Sequence, residues 1–318
     1  VGGSGLGEVY AETGGFDLAQ RQLAESVEIF TGFENLWGVI INLFSLGKVA
    51  LARGDCDGAR RLFADTLEKS EETAYPEGRT FGHWGLGRTS LERGDAAAAR
   101  GHFEKGLAVA RGMNDPLTTG WCLVGLGEAA VREGDFRGAA GRFAEALYLA
   151  DARGTKGVRV DALLGQGRLL RARGRRGDAG RLLRQALETA RETGKLPAAC
   201  EALLELSGLQ VEDGEAERAG ELLAFLADRP EAPERTRAAA RRDLPELERE
   251  LGDKVYRSAL ERGRALAWDG IGAVYGRVRI ACHPRRGRPL GRPACPLPPL
   301  GGGSPTGWGG GCSVPSPF

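Results

Sequence analysis

Leu46-Gly47-Lys48-Val49-Ala50-Leu51-Ala52-Arg53-Gly54-Asp55-Cys56-Asp57-Gly58-Ala59-Arg60-Arg61-Leu62-Phe63 decides the fold. Forty residues later the same frame returns as Leu86-Gly87, Arg93-Gly94-Asp95, Ala99 and Phe103. It returns again as Leu126-Gly127, Gly134-Asp135, Ala139 and Phe143. Working outward, Leu6-Gly7, Gly14, Ala19 and Leu23 form the copy before it. Gln166-Gly167, Gly174, Ala179 and Leu183 follow, and the frame fades at Leu206-Ser207, Gly214, Ala219 and Leu223. Six copies stand in register over residues 1–226 without an insertion, the mark of a repeat architecture.

Each copy reads as two helices. Leu43, Leu46 and Ala50 have the three- and four-residue spacings of one helical stripe. Gly54 suits the left-handed position that ends a helix, and the Asp55 side chain can cap the next one. Ala59, Phe63 and Leu67 then line one face of the second helix. In the fifth copy the capping Asp is displaced to Asp178, and in the sixth Glu215 replaces it. Stretches such as Tyr75-Pro76-Glu77-Gly78 and Asn114-Asp115-Pro116 read as longer loops between units. A glycine inside a helix costs about 1 kcal/mol relative to Ala, so the recurrent one needs compensation. Close approach of two backbones, Gly47 against Ala59, is the expected source. The fold class is all-α, a solenoid of six helix-turn-helix units.

Leu6-Gly7-x2-Tyr10 followed by Ala19-x3-Leu23 resembles the tetratricopeptide repeat. Other units replace the tyrosine with Ala50, Ser90 or Ala130, and the family's early Trp with Leu43, His83, Leu123, Leu163 or Leu203. The family's late Pro is out of place. The 40-residue period exceeds the usual 34 or so, so either helices or loops must be longer. HEAT-type repeats share the longer period but leave the paired Gly and Ala unexplained. The resemblance implies a protein-binding scaffold whose concave groove is lined by the first helix of each pair. Its slots hold Ile41, Phe44 and Lys48; Phe81, Trp84 and Arg88; Trp121, Val124 and Glu128; Asp161, Leu164 and Arg168. Phe44, Lys48, Phe81, Trp84, Arg88, Trp121, Glu128 and Arg168 are the candidate ligand-binding residues for a protein or peptide segment. The aromatics could equally fill the space between helices. A groove charge is expected to be solvated, so Arg88 should tolerate charge reversal without unfolding.

Residues 227–276 leave the frame and read as a helical cap, charged from Ala232 to Leu251 and interrupted by Pro245. A solenoid must cover its last apolar face. Leu251-Gly252-x3-Tyr256 and Gly263-Arg264-Ala265-Leu266 also resemble the C-terminal segment of large bacterial ATPase or transcriptional regulators. Residues 277–318 hold nine Pro, nine Gly, six Arg and no Lys, Asp or Glu. Such a composition suits a disordered tail, with Arg292–Pro299 a polyproline II candidate, or an artefact of the reading frame. Without the tail, the body carries 38 basic and 43 acidic residues. That balance argues against nucleic-acid binding by the repeats. Six Cys without a C-x-x-C pair fit free thiols in a reducing cytosol. No apolar run reaches the roughly 20 residues of a membrane helix, and a cytoplasmic protein is expected. The missing initiator Met suggests a fragment or a processed product.

Chemistry-bearing motifs fail on inspection. Val1-Gly2-Gly3-Ser4-Gly5-Leu6-Gly7-Glu8-Val9-Tyr10 is similar to a kinase glycine loop, but Ser4 replaces the middle glycine and no Lys follows before Lys48. As a P-loop it has Glu8 where Lys is required. Arg53-Gly54-Asp55 and Arg93-Gly94-Asp95 are helix turns with a capping Asp. His83, His102 and His283 have no companion at metal-ligand spacing. No catalytic residue, metal or cofactor is expected. The reading is a sensor or interaction arm of a larger bacterial regulator. The alternatives are part of an ATPase or kinase whose catalytic portion lies upstream, or a free-standing scaffold.

Overall fold

The computed structural model describes residues 2–275. The expectations for the tail, its disorder and its polyproline stretch, lie outside the described residues. Fifteen helices follow one another among the described residues: α1 Gly2–Glu12, α2 Phe16–Gly32, α3 Leu36–Ala52, α4 Cys56–Glu72, α5 Pro76–Glu92, α6 Ala96–Gly112, α7 Pro116–Glu133 and α8 Phe136–Arg153. Next come α9 Lys156–Ala172, α10 Arg176–Glu192, α11 Leu196–Glu212, α12 Ala216–Ala227, α13 Glu234–Leu251, α14 Asp253–Ala265 and α15 Trp268–Tyr275. From α2 to α12 every helix begins 20 residues after the last. The true period of the backbone is therefore half that of the sequence.

The turn explains this regularity. A left-handed residue recurs at Gly14, Glu34, Gly54, Ala74, Gly94, Asn114, Gly134, Gly154, Gly174, Gly194 and Gly214. At Gly54 the amide donates to the Leu51 carbonyl, and the Asp55 amide donates to Ala50, the paired bonds of a Schellman close. The Asp55 carboxylate then accepts from the Gly58 amide at 2.8 Å and caps the next helix. Asp95 and Asp135 repeat the bond. Three residues thus end one helix and start another, between units as well as within them. The longer inter-unit loops expected at 75–78 and 114–116 do not exist; Asn114 and Asp115 form the same short turn, and helices of 17 residues carry the long period. Asp178 and Glu215 do not cap. They pair instead with Arg175 and Arg181, and with Arg218.

The interior glycines serve a ring, not a backbone contact with Ala59. An atom added at Gly47 would run into the Phe63 ring, and so would one added at Gly85 on the next unit. Phe103 lies likewise between Gly87 and Gly125, and Phe143 between Gly127 and Gly165. All three rings are fully buried. Each phenylalanine is a peg held between the first helix of its own unit and that of the next. Its burial contributes about 2–3 kcal/mol and fixes the step between units.

First helices touch one another along the solenoid (α3 on α5, α5 on α7, α7 on α9, α9 on α11), whereas second helices splay apart. The first helices therefore line the concave face. After α12 the chain breaks frame at Asp228-Arg229-Pro230. Pro230 and Pro233 forbid a continued helix, and the segment turns inward until its Glu231 backbone packs on the Gly14 turn. α13 and α14 pack on α12, and the Trp268 ring meets Phe225 edge-on at 5.2 Å, covering the last apolar face.

Candidate functional site

The concave face carries an aromatic cluster at one end. Phe44 on α3, Phe81 and Trp84 on α5, and Trp121 on α7 converge because their slots are three residues apart on each helix and one unit apart along the solenoid. Phe44 stacks on Phe81 with centroids 4.6 Å apart, and Trp84 meets Trp121 at 5.7 Å. Phe44 is buried, while the other three rings are half-buried. They therefore pack against one another and still present surface to the groove. The Lys48 ammonium lies 5.0 Å from the Phe44 ring centroid, within cation–π range.

One helical turn deeper, charges replace aromatics. Arg88 bonds Glu128; Arg168 bonds Glu205 at 2.8 Å and Glu201 at 2.9 Å and lies 3.4 Å from Glu128. Arg235, from the cap helix α13, reaches back to bond both Glu92 and Glu201. The expectation of a solvated Arg88 is corrected: its side chain is 16% exposed and that of Glu128 17%. Reversing Arg88 would place two carboxylates face to face in a half-dry site. Burial alone would raise the Glu201 carboxyl; the guanidinium groups of Arg235 and Arg168 outweigh it and hold it at about 2. Glu128 is depressed for the same reason by Arg88 and Arg168. Burial opposes the charge of Arg168 too, but its three carboxylates drive its pKa up.

Between the aromatic and ionic regions lies a cavity of about 260 Å³, lined by Phe16, Lys48, Trp84, Arg88, Asp161 and Lys195 among others. Most charges around it are paired: Lys195 lies 3.4 Å from Glu12, and Arg88, Glu92, Glu201 and Arg235 belong to the network. Lys48 and Asp161 are not, since neither forms a hydrogen bond or ion pair among the described residues. Burial pushes the Lys48 pKa down and the Asp161 pKa up to about 6. A second cavity of about 340 Å³ lies beyond the network, bounded by Glu128, Arg168, Glu205 and Thr236. Glu12 with Lys195, and Glu92 with Arg235, tie early units to late ones. The superhelix thereby comes round on itself and encloses its own groove.

All eight sequence-selected residues line this face. Phe44, Phe81, Trp84 and Trp121 form one group, Arg88, Glu128 and Arg168 another, and Lys48 faces the cavity between them. Glu92, Glu201 and Glu205 were missed, although Glu201 occupies the Asp161 slot one unit on, and the frame carried one step further finds it. Arg235 stands outside the repeat and has no such signal. His83 and His102 face each other with Nδ1 atoms 3.5 Å apart, but no group of three or more metal-ligating side chains occurs among the described residues. No helix among them is long and apolar enough to cross a membrane.

A family model for the tetratricopeptide repeat matches residues 162–197, a stretch of α9 and α10 with the turn between them. That stretch is a tetratricopeptide repeat, and it is set in an all-α chain of helices packed in pairs. Among solved structures, the apo form of RapI superposes with a TM-score of 0.56 at 15% identity, covering 77% of this chain and 83% of that one. BtubC (BKLC) from P. vanneervenii gives a TM-score of 0.49 at 14% identity, over 77% of this chain and 92% of that one. At its low identity the RapI likeness speaks for the fold alone. No curated protein matches the sequence. Tetratricopeptide repeats generally bind proteins or peptides, and this repeat chain is a helical-repeat scaffold of that kind.

Proposed function

We propose that the concave channel holds a peptide or a short protein segment without transforming it, as the interaction arm of a larger bacterial signalling or transcriptional regulator. One observation carries this reading: Lys48 and Asp161 face a cavity walled by Trp84 while every other charge around it has a partner. A half-buried charge without a direct ion-pair or hydrogen-bond partner is costly. A ligand bringing a carboxylate to Lys48 and a cation to Asp161 would offset both costs, with its apolar side chains on the aromatic wall. Peptides carry both charge types within one short chain. The paired network beyond serves as a rigid floor that fixes the spacing of the units. No group here is arranged as nucleophile and base, so binding is the whole of the proposed activity.

The test is to pan a random-peptide library against the full chain and measure the selected peptide by calorimetry. Ala at Trp84 or Trp121 should weaken binding by about 2 kcal/mol or more, the size of an interface anchor. Lys48→Ala should weaken peptides with an acidic group most. Thermal melts separate lost binding from lost folding in the tryptophan variants. Unchanged affinity in all three folded variants rejects the channel as the site.

A further inference from the structure

The turn between the first two units is built differently from its equivalents. Phe33 is 79% exposed and Trp37 63%, with Ile29 and Leu36 exposed beside them. The repeat supplies an internal control. At the Phe33 slot the following units carry Thr73, Met113, Arg153 and Thr193; at the Trp37 slot they carry Glu77, Leu117, Gly157 and Pro197. The same turn closes in every unit without an aromatic at either position, so packing does not require Phe33 or Trp37. Trp37 is also held in place, stacked on Tyr75 with centroids 5.5 Å apart and planes 13° from parallel. An exposed ring held in place by a half-buried one, beside a second exposed ring, has the make-up of an interface centre.

The surroundings define what fits. Residues 22–47 contain Glu25, Glu28 and Glu34 and no Lys, Arg or Asp. Glu71 and Glu72 are exposed on the adjoining turn, where Lys69 is the sole cation over 66–78. None of these five glutamates forms a salt bridge among the described residues. A second copy of the chain would bring glutamates against glutamates, so self-association is opposed. We infer that this face, apart from the channel, docks a basic amphipathic helix of a partner protein: apolar side chains on Phe33 and Trp37, Arg or Lys on the acidic rim and over the Trp37–Tyr75 stack.

The test uses the full chain and two fluorescein-labelled helices of about five turns, or about 18 residues. Both carry leucine on one face; one carries arginine on the other and one glutamate. The arginine helix should bind at least about tenfold more tightly than the glutamate helix. Phe33→Thr with Trp37→Glu should cut its affinity about tenfold or more, the effect of removing central aromatic anchors. These replacements are the residues that the next unit already carries, so folding is retained. Trp37→Glu adds negative charge, so a loss of affinity reports the apolar contact and not the rim. Lys48→Ala, which disturbs the channel, should leave this binding unchanged. Failure of the arginine helix to bind, equal affinity for both, or affinity undiminished in the double variant overturns the inference. So does self-association in sedimentation that the double variant abolishes.

Discussion

Gly125→Ala tests whether the phenylalanine pegs set the step of the solenoid. On helix propensity alone the change should stabilise by about 0.5–1 kcal/mol. In place, the new methyl carbon would stand 2.5 Å from the Phe103 ring, where about 3.5–4.0 Å is comfortable. The ring cannot withdraw, because Gly87 lies against its other side with room for an added atom only 2.7 Å away. Overpacking of this kind costs about 1–3 kcal/mol, leaving a net loss near 1 kcal/mol. Gly101 is the control: it sits inside α6 with nothing within 4 Å of the added atom, so Gly101→Ala should gain the propensity term outright. The two variants should differ by about 2 kcal/mol, a Tm separation of about 3–4 °C for a body of this size. In a Phe103→Leu background the cost of Gly125→Ala should shrink by about 1 kcal/mol. The chain already contains the precedent: Leu23 stands where the facing slot is Ser45, and Leu183 where it is Glu205. Thermal melts followed by circular dichroism measure the four variants against wild type. If Gly125→Ala raises Tm as much as Gly101→Ala does, or if the double variant is additive, the peg account is wrong.

Further outcomes concern charge and turns. Asp161 titrates at about 6 in the fold against an ordinary 3.8, so the stability it contributes is present below about 3.8 and is lost as pH rises through 6. Asp161→Asn should therefore raise Tm at pH 7 and match wild type near pH 4. Glu201, held at about 2 against 4.5, has the opposite sign, and Glu201→Gln should lower Tm at pH 7 with the deficit closing between about pH 4.5 and 2; melts from about pH 2 to pH 7 check both. Ala74 occupies a left-handed turn position with φ 54° or lower, as Glu34 does, whereas Gly54 holds the same position freely. Ala74→Gly should stabilise by about 1 kcal/mol and Gly54→Ala destabilise by a similar amount, read from urea midpoints.

The unit and the groove slots were legible because both follow from periodicity. Gly54 and Asp55 mark a turn by the chemistry that the turn requires, and Phe44, Lys48, Trp84 and Arg88 follow from position within a helix. The half-period was hidden because Glu34, Ala74 and Asn114 fill the left-handed slot between the earlier units, and glycine takes it only at Gly154 and Gly194. A sequence reader looks there for glycine, and the fold accepts a strained residue instead. The purpose of Gly47 was misread for a different reason. Ala59 is its neighbour in pattern, but the size of Phe63 decides who occupies the space. Arg235 lay beyond reach because its bonds to Glu92 and Glu201 depend on how far the superhelix has turned by the time the cap arrives, which no local spacing records.

The meeting of the two ends carries a consequence for how such a chain can evolve. An open stack of repeats tolerates gain or loss of a unit, because each one consults only its neighbours. Here Glu12 reaches Lys195 and Arg235 reaches Glu92 only after a fixed amount of rotation has accumulated. Duplicating or deleting 40 residues would leave every local contact intact and carry these partners past one another. The number of units is thus under selection as a length is in a closed ring, and drift is confined to the side chains that face the space within.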